Sequence, residues 1–137
     1  MKSVLIFLTE NIKKEPNLNE RVLKDILSEL DFNPPNDYWE FIKEFNGGEG
    51  FIGTQNYLSL WKVDNLIDWN KKYDVDLYAP GYFIFASDGG GTAYAFNKKD
   101  GSIVAFQFIG MLMDDNPVIL GDTFTVFLNS LYQESGV

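Results

Sequence analysis

Three apolar segments in the second half of the chain, 82–87, 92–96 and 102–108, are joined by very short connectors. The connectors, 88–91 and 97–101, contain four and five residues, and both include glycine. Parallel strands need a crossover of about a dozen residues or more, whereas antiparallel strands can be joined by a tight turn. The spacing therefore predicts an antiparallel sheet built from consecutive hairpins.

The first third of the chain is predicted to be helical. Apolar residues at helical spacing indicate one helix over 4–12, which Pro16 ends. A second apolar stripe, over 22–30, indicates another helix, for which Asn17 or Asn19 can act as the N-cap.

A third helix is predicted after the proline pair at 34–35, opened by Asn36 or Asp37. Asn46-Gly47-Gly48 follows its last apolar residue. Because glycine takes the left-handed conformation of a helix C-cap, we expect this motif to close the helix with a positive φ at one glycine.

The remaining elements complete an α+β arrangement. They are a strand over 57–61, a short helix capped by Asp64, a short edge strand over 118–120, and a last helix from Asp122 or Thr123. We therefore predict a single α+β domain over residues 1–137. Its central antiparallel sheet should have about four to six strands, with N-terminal helices and a C-terminal helix packed around it.

The chain contains no Cys and no His. It therefore lacks the usual general base near neutral pH, thiol nucleophiles and the commonest metal ligands. We expect a protein that is not an enzyme, with no cofactor and no metal site. An enzyme that uses carboxylates alone, such as a glycosidase, is the remaining catalytic alternative, and it would need two carboxylates facing each other across a cleft.

The formal net charge of −9 disfavours nucleic acid and anionic membranes as partners. It favours a basic protein. The last basic residue is Lys99, and the acidic residues that follow are Asp100, Asp114, Asp115, Asp122 and Glu134.

Three residues are candidates for partner binding. Asp114 and Asp115 lie in a predicted acidic loop before the last helix, which is either a solvated connector or a contact to the partner. Trp39 lies one residue off the apolar face of the third helix. It is either a packing residue or a partly exposed interface anchor.

The motif Asp88-Gly89-Gly90-Gly91 has two interpretations. It can be an anion-binding nest of backbone N–H groups or a hairpin turn. It lacks the Lys-Ser/Thr of a P-loop and no helix follows it, so the hairpin turn is favoured. The connector 97–101 lacks the alternating acidic ligands of a calcium loop, so we expect no calcium there.

Nothing in the sequence predicts targeting or membrane insertion. The apolar run 4–8 is too short for the core of a signal peptide, and no segment approaches the ~20 apolar residues of a membrane span. We expect a cytoplasmic protein.

The order of these motifs resembles the SMI1/KNR4 family, also called the SUKH superfamily. The resemblance extends from about Asn17 to Leu131. Its motifs are Pro35-Asn36-Asp37-Tyr38-Trp39-Glu40-Phe41, Phe45-Asn46-Gly47-Gly48, Leu58-Ser59-Leu60-Trp61, 67–73, 85–91 with Tyr94-Ala95-Phe96, and Thr123-Phe124-Thr125-Val126-Phe127-Leu128.

The resemblance implies a non-enzymatic α+β binding domain. For a bacterial member, the resemblance implies an immunity protein that binds and neutralises a cognate toxin, often a nuclease. For a fungal member it implies a scaffold in signalling. A basic toxin domain is thus the expected partner, and a scaffold or regulatory module of the same fold is the alternative. The resemblance implies no catalytic residues, so none is assigned to a position in this sequence.

Overall fold

A computed structural model describes residues 1–112 and 116–135 of the chain, and within them seven strands form one antiparallel sheet. The order of the strands in the sheet is their order in the chain. The strands are β1 (Ile12–Pro16), β2 (Phe45–Ile52), β3 (Asn56–Leu60), β4 (Tyr82–Ser87), β5 (Thr92–Asn97), β6 (Ile103–Gln107) and β7 (Val118–Gly121).

Helices surround this sheet, as the α+β prediction requires. They are α1 (Ser3–Leu8), α2 (Glu20–Ser28), α3 (Asn36–Glu44), α4 (Leu66–Lys72), α5 (Val75–Tyr78) and α6 (Phe124–Ser135), with a 3-10 turn (Val63–Asn65) before α4. The predicted arrangement of N-terminal helices, central sheet and C-terminal helix is confirmed. The number of strands is one above the predicted range.

Aromatic rings join α3 and α6 to the centre of the sheet. Tyr38 on α3 makes edge contacts with Phe85, Phe96 and Phe124, at centroid distances of 5.4, 4.9 and 5.3 Å. Phe85 and Phe96 stack on neighbouring strands at 4.1 Å. Such pairs add stabilisation beyond the burial of apolar area. The core therefore lies between these two helices and β4 and β5.

The first predicted helix was wrong in its extent, because it ends at Leu8 and Ile12 begins β1. The Thr9 hydroxyl donates to the Leu5 carbonyl at 2.7 Å, and the Ile12 N–H donates to the Thr9 carbonyl at 3.1 Å. Ile12 then pairs with Gly50 of β2. Strand pairing therefore overrides the helical spacing of the apolar residues.

The predicted role of Asn46-Gly47-Gly48 as a helix C-cap was also wrong. α3 ends at Glu44, the backbone is extended at Phe45, and the two glycines belong to β2. The expected positive φ is confirmed, with +75° at Gly47 and +151° at Gly48. Glycine is required here because a Cβ at Gly47 would lie 2.5 Å from the Leu60 carbonyl oxygen on β3.

Asp64 was predicted to cap the short central helix, and it does not. It lies in the 3-10 turn, and its carboxylate accepts a hydrogen bond from Asn46 Nδ2 at 3.0 Å. Asn46 Oδ1 in turn accepts from the Val63 N–H at 2.7 Å. These two hydrogen bonds connect β2 to the 3-10 turn before α4.

The N-cap predicted at Asn19 is confirmed by a 2.8 Å hydrogen bond from the Arg21 N–H.

Candidate protein-binding surface

Exposed apolar side chains gather around the connection between β6 and β7. Ile109 is 95% exposed and Val118 is 61% exposed. A depression of about 410 Å³ has both residues in its wall, and a smaller one of about 160 Å³ adjoins it at Gly110 and Met111. We call this region the C-terminal apolar surface. Its residues are Tyr73, Tyr78, Phe108, Ile109, Gly110, Met111 and Val118.

A buried tryptophan supports the aromatic part of this surface. Trp61 lies nearly parallel to Phe108, with 16° between the ring planes and 6.1 Å between the centroids. Tyr73 packs against Phe108 at 4.9 Å, and Trp69 meets Trp61 edge to face at 4.7 Å. Rings held in this way lose little conformational freedom on binding, which is what an interface anchor needs.

The backbone turns sharply within the surface. Gly110 has φ +82° and Met111 has φ +43°, although Met111 is not a glycine. The Met111 side chain is buried, whereas Ile109, two residues earlier, is almost wholly exposed. The Phe108 N–H donates to the Gly91 carbonyl at 2.9 Å, which ties the start of the turn to the β4–β5 hairpin. The local fold therefore directs Ile109 outward.

The charges around this surface are of both signs, because Lys71 and Lys72 of α4 stand directly before Tyr73. No Lys or Arg follows Lys99 in the sequence, so neither β6, β7 nor α6 carries a cation. Asp74 precedes α5 and Asp76 lies in its first turn, and the Asp76 side chain is 92% exposed. Lys98 bridges Asp76 at 3.6 Å and Asp31 at 3.1 Å, beside a groove of about 490 Å³. Acidic residues thus follow Tyr73 along the chain and basic residues precede it.

The predicted partner-binding residues Asp114 and Asp115 lie outside the described residues. In the sequence they stand between Leu112 and Asn116. Asn116 lines the larger depression of the C-terminal apolar surface. In the sequence, Asp115 is therefore the immediate neighbour of a residue in the wall of that depression.

Trp39 lies on a different surface. It is half-buried, packs against the core and lines a groove of about 580 Å³ between α2 and α3, together with Leu23 and Leu27. Lys24 and Lys43 also line this groove. The partial exposure agrees with its offset from the apolar face of α3. The structure does not bring Trp39 together with the C-terminal apolar surface.

The motif 88–91 is a hairpin turn between β4 and β5, as predicted. The Asp88 carboxylate accepts hydrogen bonds from the N–H groups of Gly90, at 2.8 Å, and Thr92, at 3.1 Å. The Gly89 N–H donates to Ser87 Oγ at 3.1 Å. These N–H groups are directed at the turn's own side chains, so they do not form a nest for an external anion.

The connector 97–101 is likewise a turn. Asp100 Oδ1 accepts hydrogen bonds from the N–H and the hydroxyl of Ser102, at 2.9 and 2.7 Å. These bonds favour the ionised carboxylate and lower the pKa of Asp100. Within residues 1–112 and 116–135, no group of three or more acidic side chains is arranged to hold a metal ion.

Sequence reasoning missed the residues that form the C-terminal apolar surface. One signal was present: 108–113 reads Phe-Ile-Gly-Met-Leu-Met, an apolar run placed where a connector between strands is usually polar. An apolar connector has to be buried or to form an exposed patch, and at Ile109 it is exposed.

The fold defines a class of α+β protein in which a meandering antiparallel sheet is covered by helices from both ends of the chain. Of the helices in the described part of the chain, none is both long and apolar enough to cross a membrane.

The sequence matches the SMI1 / KNR4 family (SUKH-1) over residues 17–130, and the chain belongs to that family. This confirms the resemblance seen in the motifs. A comparison with curated proteins found no match.

Proposed function

We propose that this protein is a cytoplasmic immunity protein that binds and neutralises a basic toxin domain, without catalytic activity of its own. The observation that carries the proposal is the C-terminal apolar surface, an exposed aromatic and aliphatic patch on a chain of net charge −9. Membership of the SMI1/KNR4 family supports it, through what the resemblance implies for bacterial members.

The composition of the surface suits a protein partner. Interface centres are depleted in charged residues and enriched in aromatic residues and Met, and their rims are polar. Tyr73, Tyr78 and Phe108 supply rings, and Ile109 supplies an aliphatic side chain that is 95% exposed. Asp114 and Asp115 are the proposed acidic contacts, and they would speed the encounter with a basic partner.

The alternative is a scaffold or regulatory module of the same fold. The groove between α2 and α3 favours it, because Trp39, Leu23 and Leu27 supply apolar contacts there on a separate surface. Two binding surfaces suit a protein that joins several partners. In this case Trp39 rather than Ile109 would anchor the main contact, and each partner would bind weakly.

A toxin domain encoded by a neighbouring gene would be the partner with which to test the proposal. The purified domain is titrated with the wild-type protein and with Ile109→Asp, Trp39→Ala and the matched control Val22→Asp. We expect tight one-to-one binding, which Ile109→Asp weakens at least ~10-fold because it places a charge in an apolar contact. Val22, 44% exposed on α2, should tolerate its substitution. Loss of binding only with Trp39→Ala would favour the scaffold alternative.

Kinetics test the role of charge. Replacing Asp114 and Asp115 together by Lys should lower the association rate by ~10-fold at low salt, and rising salt should slow the wild-type association as well. The dissociation rate should change less. An association rate that responds to neither salt nor the double substitution would contradict the electrostatic part of the proposal.

A further inference from the structure

The two outer strands of the sheet differ in how well their edges are protected. β1 carries Lys13, Lys14 and Pro16, which are features that discourage pairing with another strand. β7 contains no charge and no proline within its four residues. Val118 and Ile119 on β7 are 61% and 72% exposed. An apolar edge of this kind is a template for a further strand.

The β7 edge is held firmly by α6. Gly121 is buried, and a Cβ there would lie 2.8 Å from the Phe127 N atom, so the strand end and the helix are in close contact. Ile103, Val104 and Ala105 of β6 pair with its inner side. The edge is therefore preformed, and an added strand would not have to order it first.

The charges around the edge select the kind of occupant. Asp122 follows β7 directly and is exposed, and no basic residue follows Lys99 along the chain. A second copy of this chain would bring the same acidic residues and a net charge of −9 against this edge. Like charges disfavour that pairing, and a basic segment is favoured.

We propose that β7 accepts an extended, basic segment of the partner protein as an eighth strand of the sheet. Main-chain hydrogen bonds from β7 would supply affinity. Apolar side chains of the segment would contact Val118 or Ile119, and its Lys or Arg residues would approach Asp122. This inference rests on the proposed function, and it adds how the partner is held beside the C-terminal apolar surface.

A synthetic peptide of alternating Lys and Val tests the edge directly. Amide hydrogen exchange of the ¹⁵N-labelled full-length protein is measured with and without this peptide. We expect at least ~10-fold slower exchange at outward-facing β7 amides, with β1 unchanged, because new main-chain hydrogen bonds protect only the paired edge. The same peptide N-methylated at every residue keeps its side-chain charge but has no amide donor along either edge, and it should give no protection.

Three outcomes of measurements on the wild-type protein overturn the inference. One is the absence of β7 protection with the unmethylated peptide. The second is equal protection by the methylated peptide, which would indicate charge attraction alone. The third is protection of β7 amides without any peptide that increases with protein concentration, accompanied by a dimer in sedimentation. That result would assign the edge to a second copy.

Variants separate this inference from the proposed function. Ile119→Lys should lower peptide binding at least ~10-fold, and Val22→Lys, at an exposed position on α2, should not. If toxin binding depends on Ile109 but not on Ile119, the strand addition is wrong and the proposed function stands. If the toxin domain does not bind at all, the proposed function fails regardless of the peptide result.

Discussion

Asn70 and Ile84 exchange two hydrogen bonds between the side chain of one residue and the backbone of the other. Asn70 Nδ2 donates to the Ile84 carbonyl and the Ile84 N–H donates to Asn70 Oδ1, both at 2.8 Å. Asn70 Nδ2 also donates to the Leu66 carbonyl at 2.8 Å. The β4–β5 pairing has an irregularity between Ile84 and Ala86, so Asn70 satisfies backbone groups of β4 next to this bulge.

Replacing Asn70 by Ala should destabilise the fold by about 3 kcal/mol, because the Ile84 N–H and carbonyl would be left buried without partners. Denaturant unfolding measures the change. Asn129→Ala, at an exposed position on α6, is the control and should change stability by no more than about 0.5 kcal/mol. Equal effects of the two substitutions would contradict the role given to Asn70.

A Cβ added at Gly47 should destabilise the fold far more than one added at Gly81. Both residues have a left-handed backbone, with φ +75° and +88°. A Cβ at Gly47 would contact the carbonyl oxygens of Leu60 and Trp61 at 2.5 and 2.8 Å, whereas none of the described atoms lies within 4 Å of one at Gly81. We expect Gly81→Ala to cost about 1 kcal/mol and Gly47→Ala about 3 kcal/mol or more in thermal unfolding. A difference below about 1 kcal/mol would show that β3 can move away.

Asp37 joins the start of α3 to the start of α6. Its Oδ1 accepts from the N–H groups of Tyr38 and Phe124, both at 3.1 Å, and its Oδ2 accepts from the Thr125 N–H at 2.7 Å. Asp37→Ala should cost about 2 kcal/mol, and Asp37→Asn less, because the amide keeps one acceptor oxygen. Calorimetry of both variants, with Asp25→Ala on the exposed side of α2 as control, measures this. A loss with Asp25→Ala as large as with Asp37→Ala would contradict the prediction.

Stability should fall at high pH because of Tyr38. Burial raises the pKa of the Tyr38 hydroxyl well above its ordinary value. From about pH 10 upward the unfolded chain loses this proton while the folded protein keeps it, so the unfolded state is favoured increasingly. Urea unfolding from pH 8 to pH 11.5 should show a shallower decline for Tyr38→Phe than for the wild type. Parallel declines would refute this account.

The fold could be predicted where local signals and pairing agree. The bounds predicted for β4, 82–87, are those observed, because an apolar run ends there in a glycine turn. β2 was missed because 46–50 reads Asn-Gly-Gly-Glu-Gly, which has the composition of a turn. Those glycines allow the backbones of β1 and β3 to lie close to β2. The need for glycine can be recognised only once the pairing of the strands is known.

The candidate surface was harder to predict than the fold. Phe106 and Ile109 are apolar residues only three positions apart, yet Phe106 is 6% exposed and Ile109 is 95% exposed. Sequence does not distinguish them, because the difference arises from the turn at Gly110 and Met111. The acidic character of this part of the chain could be predicted from the sequence alone, because no Lys or Arg follows Lys99.

The agreement between strand order in the sheet and strand order in the chain has a consequence for synthesis on the ribosome. Each strand from β2 onward finds its neighbour already made when it emerges, so the sheet can grow in one direction during translation. The apolar layer that includes Phe85 and Phe96, which Tyr38 of α3 already contacts, stays incomplete until Phe124 and Phe127 of α6 have been made. A nascent chain stalled before α6 should therefore be the form that chaperones bind.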